Sequence, residues 1–143
     1  PRVDSPQDFP TATAFVEHLG SLAAAGDGAG LEAAIDHAFA ERLPSQVELP
    51  TLFRAVPSGC EPTLSEGPGY GAIAIPPPME EDSEEDAARI HALIDELQAT
   101  TEVSASCTVP GEEGDETLVL YAIAARRTAS GWRALAWRDH RLD

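Results

Sequence analysis

"LVLYAIAARRTASGWRALAWRDH", Leu118 to His140, decides the fold of this chain. Two apolar runs flank "RTASG", a turn-forming pentapeptide, so the stretch reads as a β-hairpin. Both faces of that hairpin are apolar. On the first strand Val119, Tyr121 and Ile123 alternate with Leu118, Leu120, Ala122 and Ala124. On the second, Leu135 and Trp137 alternate with Ala134 and Ala136 beside Trp132. A strand pair apolar on both sides requires a second packing layer, a partner chain, or a ligand cavity in a curved sheet. The alanines at 122, 124, 134 and 136 leave room for helices on one side. Tyr121, Leu135 and Trp137 are then the candidate ligand-binding residues of the other.

Upstream, "EVSASCTV" alternates as a half-buried strand, with Val103, Ala105, Cys107 and Val109 facing the core and "PGEEGDE" turning the chain after it. Before that, "MEEDSEEDAARIHALIDELQATT" reads as a helix. Acidic residues open it where the helix dipole favours them, Ser83 and Asp86 form a capping pair, and Ala87, Ile90, Leu93, Ile94 and Leu97 supply the apolar stripe. Pro57 to Pro78 reads as loop, except for a short strand in "YGAIAI" and a rigid "PPP" connector. At the start, Thr11 caps a helix whose stripe runs from Ala12 through Phe15, Val16, Leu19, Leu22 and Ala23 to a stop at Gly26. "GDGAG" breaks the chain. A second helix with Leu31, Ala34, Ile35, Ala38 and Phe39 on one side runs to Pro44, and "ELPTLFRAV" adds a helical turn near Pro50.

The predicted fold class is α+β: N-terminal amphipathic helices and a later helix packed on a curved antiparallel sheet that ends in a long hairpin. Its 143 residues fit one domain, 11–143, preceded by an extended tether, 1–10. A hydrophobic content of 43% against 24% charged residues is globular rather than disordered.

The formal charge of -16 repels polyanions, which disfavours nucleic acid, so no nucleic-acid partner is expected. The charge is uneven. Glu80 to Glu116 carries thirteen acidic residues against the single Arg89, whereas Thr117 to Asp143 carries five arginines against two aspartates. Those arginines can therefore pair with the acidic middle of their own chain. No apolar run is long enough to span a membrane, so no membrane insertion of this segment is expected. The absence of Lys and Asn beside plentiful Arg and Ala fits a GC-rich bacterial genome, and a salt-adapted proteome also gives acid-rich, Lys-poor chains.

Cys60 and Cys107 have neither the CxxC spacing of a redox pair nor the further ligands of a zinc site. They are either a disulfide, closing a loop of 48 residues, or two buried thiols. The disulfide suits a periplasmic, extracellular or lipid-anchored protein; two thiols suit a cytoplasmic one.

Chemistry-bearing motifs are sparse. His91 and Asp95 sit one helical turn apart, the spacing at which a carboxylate can orient an imidazole base. His18 flanks the first helix's stripe and can line a cavity. His37 and Glu41 share the same spacing, but His37 projects away from its helix's apolar face. No serine sits in a nucleophile elbow, "GDGAG" and "GPGYG" are not phosphate loops, and "DSEED" lacks the pattern of a calcium loop. No residue set asks for a metal or cofactor.

The helical pair in "FVEHLGSLAAAGDGAGLEAAI", broken at Gly26-Asp27, followed by long twisted strands at the end, resembles the NTF2-like (cystatin-like α+β) superfamily. The resemblance implies a curved antiparallel sheet wrapped around helices with a conical pocket. It also implies, as one alternative, a cavity enzyme of lyase, isomerase or cyclase type with His18 or His91 as base. Three functions follow as expectations: a non-catalytic domain binding a small apolar ligand, a partner protein or a second copy of itself through the apolar sheet face; that cavity enzyme; or an acidic inhibitor or immunity-type protein masking a basic partner through Glu80 to Asp86 and Glu112 to Glu116.

Overall fold

A computed structural model describes residues 9–43, 48–54, 56–57, 59–69 and 78–140. Thr11 opens helix α1 (Ala12–Ala25), its hydroxyl accepting from the Ala14 N–H at 3.1 Å. The helix ends at Gly26, whose φ of 72° lies in the left-handed region open to glycine. The Gly26 and Asp27 N–H groups then donate back to Ala23 O and Leu22 O, satisfying the last carbonyls in a Schellman arrangement. Asp27 has a second role: its carboxylate accepts from the Gly30 N–H and opens α2 (Gly28–Ala33).

The single second helix expected up to Pro44 is two short ones. Asp36 caps α3 (His37–Ala40), and between α2 and α3 the backbone pairs with the last strand. The Ala134 N–H donates to Ala34 O and the Asp36 N–H to Ala134 O, at 2.8 and 2.9 Å. Two backbone bonds to a strand plus a cap outweigh continuation of a helix whose own bonds contribute about 1 kcal/mol each. The turn near Pro50 is α4 (Leu49–Arg54), as its sequence predicts.

Among the described residues the sheet has four antiparallel strands in sequential order and is not closed: β1 (Thr63–Pro68), β2 (Thr101–Gly111), β3 (Gly114–Thr128) and β4 (Gly131–Asp139). Strand β1 lies where the sequence reads as loop. "TLSEGP" carries one half-buried apolar residue, Leu64, so it has no alternation to announce it and is held by pairing along β2. The expected strand in "YGAIAI", the first residues of the tether and the stretch from Pro44 fall outside the described residues. Phe9, at the tether's end, is docked: its carbonyl accepts from Trp132 Nε1 at 2.8 Å.

Between β1 and β2 runs α5 (Glu84–Gln98), with Ser83 accepting from the Asp86 N–H as predicted. Helices α1, α2 and α4 cover one face of the sheet, burying Phe15, Leu19, Leu31 and Leu52 against Val103, Tyr121, Ile123 and Trp137. Leu93 and Leu97 of α5, with Phe39 and Leu43, cover the other against Ala124, Leu135 and Ala136. The apolar second face of the hairpin is thus explained by a second packing layer. Ala124 and Ala136 give α5 the room their small side chains promised.

Two bulges reassign the faces. Ala105 pairs with Tyr121 and Ser106 with Val119, leaving Leu120 as an extra residue; Ala124 pairs with Ala136 and Ala125 with Ala134, leaving Leu135 as another. An extra residue reverses the alternation beyond it. Leu120 and Tyr121 therefore share a face, and so do Leu135 and Ala136.

One arginine of β3, Arg126, reaches the acidic middle of the chain. Arg126 reaches Asp36 at 2.9 Å and Glu96 at 3.8 Å, and Glu96 also holds Arg42 at 2.6 Å. This chain of charges bridges α3, β3 and α5.

Candidate functional site

Helix α4 lies across the sheet face that carries Tyr121 and Trp137, and a cleft opens at each of its ends. The larger, about 420 Å³, is floored by Trp137 and walled by Leu31, Ile35, Ala40, Leu49 and Pro50, with Glu32, His37 and Glu48 at its mouth. Its volume falls within the roughly 300–1,000 Å³ of small-molecule sites, and its composition, apolar walls with a few polar groups, is the usual one for them. The smaller, about 280 Å³, is bounded by Gly20, Ala23, Ala24, Phe53, Arg54, Val56, Pro62 and Tyr121.

The mouth of the larger cleft is built by the break between α2 and α3. That break turns His37 back toward α2, where His37 Nε2 lies 2.8 Å from Glu32 O and 3.6 Å from Glu32 Oε1. A carbonyl oxygen only accepts, so Nε2 is the donor in this contact. Glu48 makes no side-chain hydrogen bond or ion pair among the described residues. The cleft thus offers an aromatic floor, aliphatic walls, and a rim with two carboxylates and an imidazole.

The three residues expected to form one apolar binding face are divided. Trp137 and Tyr121 are 7% and 4% exposed and floor the two clefts of the α4 face. Leu135, fully buried, packs beneath α5 on the opposite side of the sheet. The bulge at Leu135 is the reason: without it Leu135 and Trp137 would share a face.

The catalytic candidates are not brought together. His18 belongs to α1, over one face of the sheet, with its ring 4.9 Å from that of Phe9. Its Nε2 is buried without a hydrogen-bond partner among the described residues. His91 and Asp95 belong to α5, over the other face; both are exposed, and no ion pair or hydrogen bond joins them among the described residues. No group of three or more potential metal ligands exists among the described residues.

Cys60 and Cys107 form a disulfide, their Cα atoms 6.0 Å apart, which ties the segment before β1 to the buried face of β2. No helix among the described residues is long and apolar enough to cross a membrane.

Glu32 and Glu48 carry no sequence signal for a place at this mouth, and the spacing of His37 pairs it with Glu41 instead. A cap signal for α3 was present in Asp36, which accepts from the Phe39 N–H at 3.2 Å. Recognising it would have moved His37 to the first position of a new helix and away from Glu41. Glu48 had no local signal, because its place depends on how α4 crosses the sheet.

The chain matches no family model, no curated protein and no solved structure.

Proposed function

We propose that this chain is a non-catalytic ligand-binding domain of the bacterial cell envelope, and that it takes a small ligand with an apolar body into the Trp137 cleft. One observation carries the reading: an aromatic-floored cleft of about 420 Å³ in which apolar side chains from α2, α3, α4 and β4 converge. The disulfide supports an oxidising compartment, whether periplasmic, extracellular or lipid-anchored. The separation of His18 from His91 and Asp95 by the sheet supports binding over catalysis by those residues, because neither histidine lines the Trp137 cleft and the three do not converge on one site. The test is chemical-shift mapping by ¹H–¹⁵N NMR with benzyl alcohol and benzylamine as probes. Saturable shifts at Leu31, Ile35, Leu49 and the Trp137 indole are expected. Shifts confined to residues outside that cleft would contradict the reading.

A second reading rests on the far end of the β2–β3 hairpin. Beyond Ser106 on β2 and before Tyr121 on β3, neither strand has a third strand beside it among the described residues. The ribbon so formed ends in Glu112, Glu113, Asp115 and Glu116, and carries Val119 at 45% exposure. Unpaired edges beside concentrated negative charge suit a basic partner protein, the masking role of an inhibitor or immunity-type protein. Association through this ribbon would slow steeply as ionic strength rises from about 0.01 M to 0.15 M; salt-independent association would remove this reading.

A further inference from the structure

The smaller cleft carries a charge pattern opposite to that of the protein around it. The chain holds 25 acidic residues and nine arginines. Among the described residues, the lining of this cleft nevertheless contains Arg54 and no carboxylate. The other described arginines are all engaged. Arg42 and Arg126 meet Glu96, Arg89 meets Asp86, Arg133 donates to Ser130 Oγ, and Arg127 and Arg138 have interactions of their own. Arg54, exposed at the end of α4, has no ion pair or hydrogen bond among the described residues.

An unpaired guanidinium in so acidic a chain is uncommon chemistry, and its surroundings say what it can hold. The edge-to-face pair of Phe53 and Tyr121, centroids 5.3 Å apart, forms one aromatic wall. Gly20, Ala23 and Ala24 of α1 line the cleft beside it, and their small side chains leave the space open. A volume of about 280 Å³ holds on the order of nine groups the size of a water molecule. We infer that this cleft is a second binding site, specific for a small amphiphile whose apolar body lies against Phe53 and Tyr121 and whose carboxylate is taken by Arg54. Arginine suits that head because its planar fork meets both carboxylate oxygens at once. A medium-chain aliphatic acid and an aryl-substituted acid share this chemistry. The site stands apart from the Trp137 cleft, at the other end of α4, and does not depend on it.

The test is NMR titration of the oxidised full chain with octanoate and 3-phenylpropionate, using 1-octanol and octylamine as controls of matched length. Saturable shifts at Gly20, Ala23 and Val56 are expected with at least one acid, at an affinity tenfold or more above that of 1-octanol. Arg54→Gln should reduce the acid to the level of the alcohol and leave the alcohol's affinity unchanged. Gly20→Leu should abolish binding of both by filling the cleft. A Cβ at Gly20 meets the Phe53 ring at 3.7 Å, an ordinary contact, and a helix-interior glycine replacement favours the helix, so a Gly20→Leu thermal melt matching that of the native chain separates a filled cleft from unfolding. Tighter binding of octanoate would identify an aliphatic ligand, and tighter binding of 3-phenylpropionate an aryl one; either supports the site. Acid affinity unchanged in Arg54→Gln, acid no tighter than 1-octanol, or no binding of either acid at these residues would overturn it.

Discussion

The Arg126 guanidinium donates to the Asp36 carboxylate across 2.9 Å, and the same Asp36 caps α3 and pairs its backbone N–H with Ala134. One residue thereby fixes the break that places His37 at the cleft mouth. Asp36→Ala removes the cap and the ion pair together and should cost about 2 kcal/mol, read by urea denaturation. Asp36→Asn keeps a capping oxygen and should cost about half as much. Equal losses in the two variants would mean that the charge, not the cap, holds α3.

Leu135 and Val119 make a paired test of the two layers. Leu135 is fully buried beneath α5, so Leu135→Ala should cost roughly 2–5 kcal/mol. Val119 is 45% exposed on the projecting ribbon, and Val119→Ala should change stability by less than about 0.5 kcal/mol. A small effect at Leu135 would mean that α5 does not cover the second face.

Removing the disulfide as Cys60→Ala with Cys107→Ala should lower stability by about 3–4 kcal/mol, because the bridge restricts a long loop in the unfolded chain. Protein isolated without reductant and then unfolded should titrate with no free thiol. Two reactive thiols would remove the support for an oxidising compartment.

Gly69 follows β1 and runs against the end of α5. A Cβ there would overlap Leu97 O and Thr100 Oγ1, neither of which can swing aside, since one is backbone and the other donates to Leu97 O at 2.6 Å. Gly69→Ala should therefore cost on the order of 1–3 kcal/mol in thermal or urea denaturation. A neutral result would show that β1 can shift along β2.

What the sequence disclosed was local. The caps at Thr11 and Ser83, the stop at Gly26 and the alternation of Val103, Ala105 and Cys107 are written in neighbouring residues, and each stands where the spacing placed it. The long final hairpin was equally plain. Features decided by distant partners were not: β1 exists through its pairing with β2, and α2 and α3 are separated by bonds to Ala134. The two bulges had the largest consequence for the site. A bulge leaves no mark in an alternating pattern of Leu, Ala and Trp, yet it moved Leu135 away from Trp137. Tyr121 and Trp137 still lie on cleft floors, because large aromatic side chains beside small neighbours leave concave surfaces wherever helices cross them.

The central claim is that the Trp137 cleft receives a small apolar ligand. It is tested most directly by ligand-observed saturation-transfer NMR of a fragment library against the native chain and Ala40→Phe, which adds a ring inside the cleft without deleting a core side chain. The account predicts a set of fragments that bind the native chain and lose at least tenfold in affinity against Ala40→Phe, at unchanged thermal stability. Fragments that bind both proteins equally would contradict it.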